Sequence, residues 1–138
     1  LTPWLELPGA RDQIATWSKQ TRLDLERLGT TATAEEITDT AVTQPLVVVA
    51  ALLAYDEVRK HGELPADAVV AGHSVGEIAA LYASGAFSLE QTLRLALARS
   101  HALADLRSVG GTMAALGTDA GGGAALKTVP VWMDFTTL

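Results

Sequence analysis

The chain has 138 residues, enough for one domain with a real core. A net charge of −6 argues against a nucleic-acid partner, and the lack of cysteine excludes a disulfide framework and a thiolate metal site. Hydrophobic residues make up 49% of the chain but aromatic ones only 5%, so the core must be built of Ala, Val and Leu.

Three dispersed histidines suggest no metal site. The longest apolar run, residues 46–55, has the length of a core helix rather than of a membrane span, and no signal peptide opens the chain. A cytoplasmic protein with no membrane partner is therefore expected. The chain opens without methionine, at Leu1-Thr2-Pro3-Trp4, and without a strand, which reads as a fragment.

Residues 1–9 read as a loop with two prolines. Residues 10–19 have helical spacing, with Ile14 and Trp17 on one face. Residues 23–28 are ambiguous and end at Gly29. Thr33 and Glu36 form a capping box, so a short helix runs through Ile37. Thr43 reads as the N-cap of the next helix, with Pro45 tolerated in its first turn. Residues 46–54 are apolar on every face, which predicts burial on most sides. Arg59, Lys60 and His61 suit the negative end of that helix, and Gly62 can supply a left-handed cap.

Residues 68–71, Ala-Val-Val-Ala, predict a central parallel strand covered on both faces. Gly72-His73-Ser74-Val75-Gly76 follows, and then a helix-forming run that ends at Gly85. Strand, G-x-S-x-G, helix is the context of a nucleophile elbow. The turn is sharp, so small residues are expected at both Gly72 and Gly76. Ser74 would stand at a helix start, where free N–H groups can stabilise an oxyanion, and the Val75 backbone N–H is the natural first donor. The same five-residue pattern also arises by chance in glycine-rich loops.

Ser88 and Gln91 form a second capping box, opening a long helix to about Leu106. Glu90, Arg94, His101 and Asp105 share its polar face. Arg99 falls instead in a sector with Leu95, Ala102 and Leu106. An arginine there either snorkels to water or holds its planar fork ready for a carboxylate. After Gly110-Gly111, residues 112–116 suit a strand. Residues 117–125 have no clear period, and residues 129–132 suit an edge strand.

Thr43-Gln44-Pro45, the elbow with Glu77 after it, and Arg99 downstream together resemble the malonyl-CoA:acyl carrier protein transacylases of bacterial fatty-acid synthesis. The acyltransferase domains of polyketide synthases are similar. The likeness covers about residues 1–116. It implies a partial α/β domain over residues 1–110, a hydrolase-like parallel sheet flanked by helices. Residues 111–138 would begin a ferredoxin-like insert and end in an unmatched tail.

The resemblance also implies roles. Ser74 would take the malonyl group as an oxygen ester, and Val75 would supply half of the oxyanion hole. Arg99 would grip the malonyl carboxylate, and Gln44 would line the acyl pocket. His73 belongs to the elbow and is not the base. The partners would be malonyl-CoA and acyl carrier protein, whose phosphopantetheine arm is the acceptor, with no cofactor and no metal. The family's glycine-glutamine motif and its catalytic histidine match no residue here, so weak or no transfer is expected of these residues alone. An α/β-hydrolase-type serine esterase or thioesterase would use the same elbow, and a non-catalytic acyl- or carrier-binding relic would keep it without turnover.

Overall fold

Ile14 and Trp17 share a face of the first predicted helix, and that face is where the core begins. The computed structural model describes residues 1–62, 64, 65 and 67–107, with side chains through Asp105. After a 3-10 turn at Thr2–Glu6, α1 spans Ala10–Thr21. Ile14 and Trp17 are fully buried. Removing an aliphatic side chain of that size from water stabilises a fold by roughly 1.5–3 kcal/mol. Arg22 ends α1 in the left-handed conformation, at φ 58°. Asp24 then caps α2, Leu25–Thr30, its carboxylate accepting from the Arg27 N–H at 3.1 Å. The ambiguous stretch is thus helical, and Gly29 lies inside the helix instead of ending it.

The first predicted capping box forms and opens α3, Ala34–Thr38. Thr33 Oγ1 accepts from the Glu36 N–H at 3.3 Å, and Glu36 Oε2 accepts from the Thr33 N–H at 3.0 Å. The Thr33 amide, with Arg27 next, holds the Glu36 carboxyl below the usual carboxylate range.

Helix α4, Thr40–Lys60, begins earlier than expected. Its N-cap is Asp39, whose Oδ1 accepts from the Ala41 N–H at 2.9 Å. Pro45 therefore sits inside the helix, where it cannot donate to the Ala41 carbonyl. Thr43 is not the cap; its hydroxyl donates back to the Ile37 carbonyl and ties α4 to α3. With 21 residues and a mean hydropathy of 1.4 over its best window, α4 is long and apolar enough to cross a membrane by length and composition. The run at 46–55 understated it, because the helix extends past the run at both ends. Val48, Val49, Leu52 and Leu53 are buried, while Val47 is 44% exposed. Burial is thus one-sided among the described residues. The predicted end holds: Gly62 is left-handed at φ 68°. His61 pairs with Glu57 at 3.0 Å, and with Lys60 it keeps that carboxyl low.

Helix α5 spans Gly76–Ala83 and packs on α4. The second capping box also forms, with Ser88 N–H to Gln91 Oε1 at 2.9 Å, and opens α6, Leu89–Arg107. Ile78, Leu93 and Ala96 join Val48, Val49 and Leu52 in one cluster with Ile14 and Trp17. The buried hydroxyls of Thr92 and Ser100 donate to Ser88 O and Leu97 O, both at 2.8 Å. Among the described residues no buried side-chain polar atom lacks a partner, as a stable interior requires.

No strand occurs among the described residues. Residues 68–71, expected as a central strand covered on both faces, form no ladder, and Val69 is 94% exposed. A strand is held by hydrogen bonds to a neighbour, and no described residue supplies that neighbour. The strands expected at 112–116 and 129–132, and the insert and tail expected over 111–138, lie outside the described residues.

Candidate active site

The elbow is built by its own backbone. The Gly76 N–H donates to His73 O at 2.9 Å, Glu77 N–H to Ser74 O at 3.2 Å, and Ile78 N–H to Val75 O at 3.2 Å. The chain thereby enters α5 directly from the serine. A Cβ on Gly72 would lie 2.2 Å from the Gly76 carbonyl oxygen and 2.5 Å from Glu77 N, both backbone atoms that cannot step aside. Gly76 meets nothing within 4 Å, so the expected need for a small residue holds at Gly72 and not at Gly76.

Ser74 is exposed and has φ 55°. Arg22 shares that conformation, but as the cap of α1, where left-handed residues are common. Ser74 ends no helix, so its geometry belongs to the turn itself. Non-glycine residues held this way cost about 1–3 kcal/mol and cluster at functional sites. The turn also commits the amides of Gly76, Glu77 and Ile78. The Val75 N–H has no acceptor among the described residues and lies at the positive end of α5.

Arg99 completes the group. Its Nη2 donates to Ser74 Oγ at 3.1 Å, and its Nη1 donates to Gln44 Oε1. Gln44 is on α4, Ser74 on the elbow and Arg99 on α6, so three elements converge on one guanidinium. The helical count placed Arg99 on an apolar sector, but Leu95 and Ala102 of that sector are exposed. The core-facing residues of α6 are Thr92, Leu93, Ala96 and Ser100. Arg99 does not penetrate the core; half-buried, it lies against the elbow, where its contact with Ser74 is exposed. The polar face is as expected, with Glu90, Arg94, His101 and Asp105 all exposed.

Ser74 Oγ bonds to no histidine or carboxylate among the described residues. His73 and His101 are exposed, and His61 is engaged by Glu57. An open groove of about 290 Å³ runs between Val70, Ala71 and Gly72 on one side and Ala80 and Leu81 of α5, with Ser84 just after it, on the other. None of Gln44, Ser74 or Arg99 lines it.

One supporting group escaped the sequence reading. Asp56 on α4 accepts from Tyr82 OH on α5 at 3.0 Å and from Gln13 Nε2 on α1 at 2.7 Å. Tyr55 OH donates to the Ala83 carbonyl at 2.9 Å, and the Tyr55 and Tyr82 rings meet edge to face at 5.8 Å. Partial burial, and then the Asp56 charge, push the Tyr82 phenol up. This clasp ties α5, which begins two residues after Ser74, to α4 and α1. Its partners lie 43 and 26 residues from Asp56, beyond any local pattern.

The arrangement offers a hydroxyl nucleophile with a cation beside it, and a free amide at a helix start. It suits acyl chemistry on a group that carries a negative charge.

A family model described as the acyl transferase domain matches residues 13–131. The malonyl CoA-acyl carrier protein transacylase of Mycolicibacterium smegmatis is 57% identical over 121 residues, covering 86% of this chain and 42% of that protein. The transacylase of the same name from Mycobacterium bovis is 56% identical over 105 residues, covering 75% and 35%. The crystal structure of MCAT from Mycobacterium tuberculosis superposes with a TM-score of 0.75 at 54% identity, covering 79% of this chain and 36% of that one. The chain thus spans about two fifths or less of the length of these relatives.

Proposed function

The chain belongs to the acyl transferase family, and on that premise we propose that it carries the nucleophile and the carboxylate grip for malonyl transfer. The donor is malonyl-CoA and the acceptor is acyl carrier protein, in the bacterial cytoplasm. The observation that supports this most is the Arg99 guanidinium 3.1 Å from Ser74 Oγ. A cation at the nucleophile selects an acyl group with a free carboxylate, which an esterase has no need to do.

Ser74 Oγ attacks the thioester carbonyl carbon, and the negative charge on the carbonyl oxygen falls to the Val75 N–H. The C–S bond breaks, and the CoA sulfur leaves with the proton that the serine gave up to a base. The carrier's phosphopantetheine thiol then attacks the seryl ester, and the C–O bond breaks. The proton that the carrier thiol gives up to the base is the one Ser74 takes as it leaves. Residues 68–71 act in this reading as the sheet strand that leads into the nucleophile, supported by the likeness to the M. tuberculosis structure. Arg99 pairs with the malonyl carboxylate throughout.

Calorimetry with malonyl-CoA and acetyl-CoA tests the grip, and intact-mass analysis tests the nucleophile. The expected result is a malonyl adduct that accumulates slowly, since no base reaches Ser74 Oγ among the described residues, and that disappears in Ser74→Ala. Arg99→Ala should lose about ten- to a hundredfold of malonyl preference, the value of roughly 1.5–3 kcal/mol for a charge-assisted pair. Equal binding of the two thioesters by the unmodified chain would overturn the reading.

A further inference from the structure

The Arg99 fork is not idle without substrate. Two of its nitrogens are already occupied, one by Gln44 Oε1 and the other by Ser74 Oγ. Both acceptors are neutral oxygens, and they come from different elements. A guanidinium bound to a carboxylate presents the same kind of fork to two oxygens. Gln44 and Ser74 therefore engage one N–H on each of the two nitrogens that an end-on carboxylate would use. A long, flexible arginine side chain also carries rotamer freedom, which a fixed acceptor on α4 removes before substrate arrives.

We propose that Gln44 is the positioning residue for Arg99, a neutral place-holder that aims the fork at Ser74 and yields to the acyl carboxylate. Neutrality is what makes it work. The bond from the charged Arg99 to a neutral amide oxygen is a single contact, whereas a carboxylate adds an opposite charge and can take two parallel N–H bonds at once. The amide thus loses the competition with a substrate carboxylate, while a carboxylate at position 44 would win it through its permanent proximity. Gln44 would set acyl selectivity through Arg99, a role distinct from lining the pocket. The inference rests on the malonyl reading above.

The test uses the full chain and two substitutions, with the ratio of malonyl-CoA to acetyl-CoA affinity as one readout. The Arg99 Nε–Hε resonance, assigned by its loss in Arg99→Ala, is the other. Gln44→Glu should cut the malonyl preference tenfold or more, with Arg99 still ordered in the spectrum. Gln44→Met should cost the preference only a few-fold and broaden the Arg99 resonance, because the fork loses its tether. Far-UV circular dichroism confirms folding of each variant. An unchanged ratio in Gln44→Glu, or an unchanged Arg99 signal in Gln44→Met, would overturn the proposal while leaving the malonyl reading intact. A chain with no malonyl preference to begin with would overturn both.

Discussion

Val48 and Val69 belong to apolar runs of the same character, yet Val48 is fully buried and Val69 is 94% exposed. The first run is in a helix, α4, which satisfies its own backbone and needs neighbours only for its side chains. The second must satisfy its backbone through neighbouring strands, and the described residues hold none. Identical side chains therefore meet opposite fates. The helical part of the unit is self-sufficient, while the approach to the nucleophile depends on something to pair with. Even so, the elbow keeps its shape, because its hydrogen bonds run forward into α5 and not back into the 68–71 segment.

The sharpest way to break this contrast is at the buried end. Leu52→Ala removes a fully buried side chain from the middle of the cluster. It should cost about 2–5 kcal/mol of stability, depending on how far the site collapses. Denaturant unfolding followed by circular dichroism measures it. A cost near zero would mean that α4 is not the centre of the core.

The elbow gives a smaller, paired effect. Gly72→Ala drives a Cβ into the Gly76–Glu77 backbone and should destabilise by about 1–3 kcal/mol, with a matching loss of the seryl adduct. Gly76→Ala faces open space at the start of a helix and should be neutral or stabilising by up to about 1 kcal/mol. Opposite signs at two glycines of one motif would show that the turn's own backbone decides the matter. Equal losses would point instead to contacts made by both glycines outside the described residues.

What the sequence disclosed follows the range of the interactions concerned. The capping boxes at Thr33 and Ser88 were legible because each is closed within four residues. The elbow was legible for the same reason. The helical count marked Arg99 as a charge in an apolar sector, of which Leu95 and Ala102 are in fact exposed, and the family resemblance supplied its expected role; its contacts with Gln44 and Ser74 span 55 and 25 residues, beyond any local pattern. The Asp56 clasp left no mark, since an aspartate after an apolar run looks like any solvated residue. Thr43 was misread because Asp39 is as good a cap and lies upstream, and proline inside a helix is normally disfavoured. The sheet was inferred from a run whose pairing partners no described residue provides.

The smallest expected change in stability sits at the exposed end of the contrast. Val69→Ser removes an apolar side chain that is already in water, so the unfolding free energy should move by less than about 0.5 kcal/mol. Association is another matter. An apolar segment with unpaired backbone groups is a template for pairing with another copy, and Val69 is the more exposed of its two valines. Sedimentation velocity over a concentration series should show the unmodified chain associating and Val69→Ser associating less, at equal stability. If the two sediment alike, the sticky surface lies elsewhere, and Val47 on the open side of α4 becomes the residue to change. If Val69→Ser instead unfolds the chain, residues 68–71 have packing partners in solution, and the contrast with Val48 fails at its exposed end.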